Sequence, residues 1–200
     1  MPEVGAGLCY SGPMASDPRP RMSAEDYLAL ERRSETRSEY LDGKIFAMTG
    51  TSERHNLLAG NLYTAFRTQL RPRGCRVYFS DMRVKVSVTG LYTYPDLVVV
   101  CDKPQFEDAE VDTLLNPKVV VEVLSKSTED YDRGTKFVHY RTLPSLTEYL
   151  LVSQDQIHVE HYMRESGGWL LTETHRREDV VELPSVEARL ALAEIYDGVL

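Results

Sequence analysis

Cysteine is scarce in this 200-residue chain: Cys9, Cys75 and Cys101 are widely spaced, with no CxxC pair and no partner histidines at zinc-finger spacing. The set reads as free thiols in a reducing cytoplasm. Long apolar runs are missing too. No stretch approaches the length of a membrane span, and the first residues lack the basic-then-apolar pattern of a secretion signal. A soluble cytoplasmic protein with no membrane partner is the expectation. Basic charge is in deficit, with 23 Lys and Arg against 31 Asp and Glu and a net charge of -8. That balance argues against a protein that coats nucleic acid nonspecifically, since such binding relies on many cations neutralising phosphates. It leaves room for a local basic face. No GxSxG elbow occurs and Cys101 has no evident base, so a serine or cysteine hydrolase lacks support.

The 42% of hydrophobic residues suffice for one core in a chain of this length. Residues 1–21, rich in Gly, Pro, Ser and Ala without periodicity, read as a mobile tail, and residues 22–200 as a single domain. Ser23 with Asp26 resembles a capping box that starts a short helix to about Arg33. Ser38 to Met48 reads as a hairpin around Asp42-Gly43. A longer helix capped at Thr51 or Ser52 carries Leu57, Leu58, Leu62, Ala65, Phe66 and Leu70 at helical spacing and ends at Pro72 and Gly74. Cys75–Ser80 and Met82–Val88 read as strands, the second alternating Met82, Val84, Val86 and Val88 against solvated Arg83, Lys85 and Ser87. Asp96–Val100 and Lys118–Leu124 are almost continuously apolar, as in the middle of a sheet covered on both faces. Between them, Asp102–Pro117 reads as an exposed acidic loop. Thr128 to about Leu143 returns to helical spacing, weakened at Gly134. Strands near Thr147–Val152, Ile157–Met163 and Trp169–Thr174 follow, with a last short helix over Leu192–Asp197.

Two carboxylates interrupt the apolar runs: Asp96 in Tyr94-Pro95-Asp96-Leu97-Val98-Val99-Val100, and Glu122 in Val119-Val120-Val121-Glu122-Val123-Leu124-Ser125. Burying a lone charge costs several kcal/mol unless it is paired or holds a metal. Alternation points Glu122 the same way as Val120 and Leu124, opposite to Val119, Val121 and Val123. If neighbouring strands join the two acids, a hard divalent cation such as Mg2+, with Mn2+ as substitute, relieves their repulsion and offers positions to a phosphate oxygen and a water. That is the chemistry of phosphodiester hydrolysis. Either acid alone has a plainer reading, Glu122 as an ion-paired core acid and Asp96 as part of a Pro-Asp turn.

Pro95-Asp96 followed by Glu122 resembles the signature of the PD-(D/E)xK nuclease superfamily. Glu39-Tyr40-Leu41-Asp42-Gly43, the helix opening around His55, Glu122-Val123-Leu124-Ser125, Asp132-Arg133-Gly134-Thr135-Lys136 and Glu148-Tyr149-Leu150-Leu151-Val152 narrow the resemblance. Together they are similar to the Uma-type putative restriction endonuclease family over about residues 23–198. The superfamily's lysine, two residues after the Glu, is Leu124 here. The family resemblance implies a lysine from the following helix instead, which maps onto Lys136; Lys126 competes, but Ser125, Ser127 and Thr128 suggest that the chain has turned before it. The resemblance further implies metal binding by Asp96 and Glu122 with the Val123 carbonyl, and a fourth catalytic residue, Glu39, presented by the hairpin. Without the resemblance, Glu39 decorates an exposed strand face.

Residues 54 to 85 carry Arg54, Arg67, Arg71, Arg73, Arg76, Arg83 and Lys85 against a single acid, Asp81. Arg67, Arg71, Arg73 and Arg76 are therefore candidates for a phosphate-backbone track, with His55 as a possible further contact; an ordinary solvated face is the plainer alternative. His158 and His161, three apart in a strand, face opposite sides and make a poor metal pair. The expected fold is α/β, a restriction-endonuclease-like core with a mixed central sheet flanked by helices and additional antiparallel strands on the C-terminal side. The expected function is Mg2+-dependent cleavage of DNA by a homodimer or higher homo-oligomer, and the rival is a catalytically inactive nucleic-acid or protein binder on the same fold.

Overall fold

The structure, a computed structural model, describes residues 21–48 and 50–200. Apart from Arg21, which meets Asp42 at 2.9 Å, the tail expected over residues 1–21 lies outside the described residues. Helix α1 (Ala24–Glu31) begins where Ser23 Oγ accepts from the Asp26 N–H at 3.0 Å. Strands β1 (Ser38–Leu41) and β2 (Lys44–Ala47) form the expected hairpin. Its turn needs positive φ twice, met by Asp42 at 47° and Gly43 at 80°. Helix α2 (Glu53–Leu70) is capped by Ser52 and runs into a 3-10 turn (Arg71–Arg73), which contains Pro72 and closes at Gly74 with φ 77°.

Strands β3 (Arg76–Phe79), β6 (Leu97–Val100), β8 (Val119–Leu124), β9 (Glu148–Ser153), β10 (Val159–Glu165) and β11 (Gly168–Thr174) build a six-stranded sheet in the order β11-β10-β9-β8-β6-β3. It is mixed: β8 and β9 run parallel and the other neighbours antiparallel. All residues of β6 and β8 are buried, as their unbroken apolar sequence requires of a sheet covered on both sides. On one face, Val119, Val121 and Val123 pack with Leu58, Leu62 and Phe66 of α2. Each such side chain contributes about 1.5–3 kcal/mol on burial. On the other face, Val120 and Leu124 pack with Tyr140, Tyr149 and Leu151.

The parallel β8–β9 step needs a crossover, supplied by α3 (Glu129–Tyr131), a π-helical turn (Asp132–Lys136) and α4 (Phe137–Tyr140). The π turn contains Gly134, and Tyr149 Oη donates to the Asp132 carbonyl at 3.0 Å. A second sheet, order β2-β1-β5-β4-β7, adds β4 (Arg83–Val86), β5 (Leu91–Thr93) and β7 (Thr113–Leu114). A hairpin of β12 (Val180–Leu183) and β13 (Ala188–Ala191) leads into α5 (Leu192–Ile195).

Several expectations are corrected. Strands β5, β7, β12 and β13 are too short or too polar to stand out as separate runs. The segment Asp102–Pro117 is no free loop: β7 is buried and pairs with β4, Asp108 and Asp112 bind Arg32, and Glu107 binds Lys85. Arg83 is buried, not solvated, because Thr113 and Tyr94 accept from its Nε and Nη1 and Asp112 lies 2.9 Å from its Nη2 as an ion-pair partner. Cys75 and Cys101 are disulfide-bonded instead of free. Extending the Arg76↔Val100 pair by one residue sets them opposite each other just before β3 and just after β6, a pairing hidden by their separation of 26 residues.

Candidate active site

Antiparallel pairing of Leu97 with Val121 sets Asp96 opposite Glu122 when the register is extended by one residue, and residues opposite each other share a face. Asp96 sits just ahead of β6, where its Oδ2 accepts from the Val123 N–H at 2.7 Å and lies 3.2 Å from His55 Nε2. Glu122 is buried on the face of Val120 and Leu124, and Tyr140 Oη donates to its Oε1 at 2.9 Å.

Lys136 Nζ enters from the π turn, 2.9 Å from Glu122 Oε1, 3.2 Å from Glu39 Oε1 and 3.5 Å from Asp132 Oδ1. Glu39 points inward from β1 and is buried, where Thr93 Oγ1 and Tyr131 Oη donate to it. It does not decorate an exposed face. Three carboxylates, Glu39, Glu122 and Asp132, thus surround one ammonium, with Asp96 on the strand position opposite Glu122. Burial pushes the Glu122 carboxyl up to about 8; Lys136 opposes this, while Asp132 and Asp96 add to it. Asp132 is raised for the same first reason. Burial lowers the Lys136 pKa, but Glu122 and the surrounding acids outweigh this and hold it well above its ordinary value, so the ammonium stays charged. Lys126 is exposed, and Leu124, in the place of the superfamily's lysine, is core.

His55 is held in place by a relay at the N-terminus of α2. Its N–H donates to Ser52 Oγ, Ser52 Oγ donates to Gln154 Oε1, and Gln154 Nε2 donates to the Leu124 carbonyl. Gln154 therefore ties the helix start to the end of β8. A cleft of about 300 Å³ opens beside Asp96 and His55, lined also by Arg37, Asn56, Met48 and Phe79. A larger groove of about 540 Å³ between α2 and the β12–β13 hairpin holds none of the four acids. Arg67, Arg71, Arg73 and Arg76 are exposed, but they lie towards the other end of α2. At 1.5 Å of rise per residue, Arg67 is about 18 Å from His55 along the helix. Arg73 is also tied to the Val186 carbonyl at 3.1 Å.

Asp132, Tyr140, Thr93, Tyr131 and Gln154 join the site without having been singled out in the sequence. Asp132 had a signal, since it precedes Lys136 by four residues and so shares its helix face. Val123 enters through its backbone N–H. The carboxylates suit a hard divalent cation: all their donor atoms are oxygen, and their charge exceeds that of the nearby ammonium.

The chain resembles known proteins along most of its length. "Uncharacterized protein slr1290" of Synechocystis sp. (strain ATCC 27184 / PCC 6803 / Kazusa) is 39% identical over 184 residues, covering 92% of this chain and 95% of that protein. "Uncharacterized protein sll1609" of the same organism is 37% identical over 153 residues, covering 76% of this chain and 86% of that protein. The crystal structure of a putative nuclease belonging to DUF820 from Anabaena variabilis ATCC 29413 superimposes with a TM-score of 0.70 at 18% identity, covering 88% of this chain and 98% of that one. It shares the mixed α/β fold. The family described as Uma2, putative restriction endonuclease, matches residues 24–193, and the chain belongs to that family.

Proposed function

We propose that this protein is a Mg2+-dependent nuclease that hydrolyses phosphodiester bonds in DNA. The observation that carries the reading is the buried Lys136 ammonium held against Glu122 among carboxylates that outnumber it, with Asp96 lining the adjacent cleft. Asp96 and Glu122, with the Val123 carbonyl, are the residues that would hold the cation. When bound, such an ion polarises a phosphoryl oxygen and lowers the pKa of a coordinated water. Lys136 keeps its proton and presents a fixed positive charge to the negative charge that develops on phosphorus-bound oxygens, the kind of preorganised stabilisation that dominates phosphoryl chemistry. Glu39 and Asp132 orient that ammonium. Arg37 and Asn56 in the cleft can meet a phosphate, and Arg67, Arg71, Arg73 and Arg76 would serve a longer stretch of backbone. A homodimer, by supplying two such sites, would cut both strands.

The test is Mn2+ calorimetry beside Mg2+- and Mn2+-dependent nicking of plasmid. Saturable Mn2+ binding and nicking, both lost in Asp96→Asn, support the reading. Binding unchanged in Asp96→Asn and Glu122→Gln would remove the metal from this cluster. DNA binding without nicking under any metal would select the rival reading, a catalytically inactive binder.

A further inference from the structure

A second convergence of ligand-bearing side chains lies away from the carboxylate cluster, at the open end of the β10–β11 hairpin. The last ladder pair there is Val159↔Thr174. One step further, His158 faces His175 across the two chains, and Glu173, two residues before His175, shares their face of the sheet. Alternation in both strands therefore gathers two imidazoles and a carboxylate on one side. His158 Nε2 is 3.0 Å from Glu173 Oε1, the His158 and His175 rings stack with centroids 4.5 Å apart, and one donor atom from each of the three residues lies within 4.8 Å of the others.

We propose that His158, Glu173 and His175 form a second metal site, one that takes a borderline divalent transition metal and Zn2+ in particular. The donor set sorts the two sites chemically. Carboxylates alone favour a hard cation, whereas two imidazoles and one carboxylate match the nitrogen-rich sets that hold Zn2+ with a water in the fourth position. The anchor is rigid: His158 is buried, its backbone N–H donates to Tyr196 Oη at 3.1 Å, and the one proton of that hydroxyl is shared between the carbonyls of Ser153 and His158, each 2.9 Å away. The other two ligands are exposed and free to adjust. Tetrahedral ligation at about 2.0–2.1 Å sets donor atoms roughly 3.3 Å apart, so closure asks for a tilt of the His175 ring out of its stack and a small shift of Glu173. Glu160, on the same face, does not compete, because Arg133 and Tyr162 hold its two oxygens. His161 points to the other face, where Glu148 Oε2 takes it at 2.7 Å. His158 therefore finds its partner across the strand and not along it.

The proposal stands independently of the nuclease reading. It is tested on the full chain by Zn2+ calorimetry and by the visible absorption of bound Co2+, with His175→Ala, Glu173→Gln and Asp96→Asn beside the wild type. His175 and Glu173 are exposed, so these variants keep the fold. Expected is one Zn2+ bound with micromolar or tighter affinity, weakened at least about tenfold in His175→Ala and Glu173→Gln and unaltered in Asp96→Asn, with tetrahedral Co2+ bands that follow the same pattern. Zn2+ affinity unchanged in both hairpin variants, or no saturable Zn2+ binding by the wild type, would overturn the site. Loss of Mn2+ binding in Asp96→Asn speaks only to the carboxylate cluster.

Discussion

Two ionic clusters of this protein, one reaching from buried Arg83 to the surface and one buried around Lys136, obey opposite rules. Under the second sheet, Arg83 meets Thr113, Tyr94 and Asp112, Tyr94 donates to Glu31, and Arg32 binds Asp108 and Asp112. The Arg32 guanidinium, with Arg83 beside it, holds Asp112 well below the usual carboxylate range. Around Lys136 the acids exceed the cations, and burial drives Glu122 up to about 8. Asp112, about one-third exposed and matched by two guanidiniums, and Glu122, buried among acids, thus titrate in opposite directions. A cluster that only holds elements together gains by matching its charges, because each unpaired buried charge costs several kcal/mol. A cluster left with surplus negative charge makes sense when a cation completes it.

The largest expected effect separates the clusters by stability. Arg83→Ala removes a buried side chain, its hydrogen bonds to Thr113 and Tyr94, and one of the two guanidiniums of Asp112, and should cost about 2–5 kcal/mol. Urea unfolding monitored at Trp169 would measure it. Asp132→Asn, which relieves surplus charge, should cost little or stabilise the metal-free protein. A comparable loss in both would erase the distinction between them.

Next in size is a loss of turnover without a loss of fold. Lys136→Ala should reduce nicking by about 100-fold to 1,000-fold, the magnitude of removing one preorganised donor, while Mn2+ binding survives. Lys126→Ala, at an exposed position, should leave the rate nearly intact. Single-turnover nicking rates would rank them, and the reverse order would move the catalytic charge to the loop after β8.

A smaller effect is expected from the aromatic hydroxyl on Glu122. Tyr140→Phe removes a buried hydrogen bond to a carboxyl that keeps its proton up to about pH 8, worth about 0.5–1.5 kcal/mol. A thermal shift of a few degrees with the metal-binding stoichiometry unchanged is the expected result. If stoichiometry falls instead, Tyr140 positions Glu122 for the cation as well as supporting it.

These contrasts follow from features of uneven legibility in the sequence. The valine runs around Asp96 and Glu122 announced central strands, and the alternating faces of β8 follow from period two alone. The Asp42-Gly43 turn and the Ser52 cap were equally plain, because backbone geometry there demands particular residues. Arg83 was not legible. Its position in an alternating strand reads as solvated, and only Tyr94, Thr113 and Asp112, distant in sequence, make its burial tolerable. The same holds for the Cys75–Cys101 pairing and for Gln154, whose roles depend on strands meeting across the sheet. Lys136 is legible through family resemblance, and its spacing of four residues from Asp132 is a local signal of a shared helix face.

The finest distinction between the clusters is their response to pH. Glu122 has a folded pKa raised above its ordinary value of 4.5 to about 8, so the folded state retains a proton that the unfolded chain releases. Its contribution to stability is fully present below about pH 4.5 and is lost as pH rises through about 8. Asp112, lowered in the folded state, behaves in the opposite sense: its contribution is present above its unfolded pKa and disappears only in strong acid. Between about pH 5 and pH 8 the metal-free protein should therefore lose thermal stability through Glu122 while the Arg83 cluster stays constant. Each kcal/mol corresponds to about 2–4 °C in a chain of this size. Scanning calorimetry in chelator across that range should show a falling Tm that Glu122→Gln flattens. Saturating Mn2+, which binds ionised carboxylates, should reverse the slope, since metal affinity rises as the proton leaves. A Tm that falls equally in Glu122→Gln would assign the proton to a different group, and a slope indifferent to Mn2+ would mean that the surplus charge around Lys136 does not attract a cation.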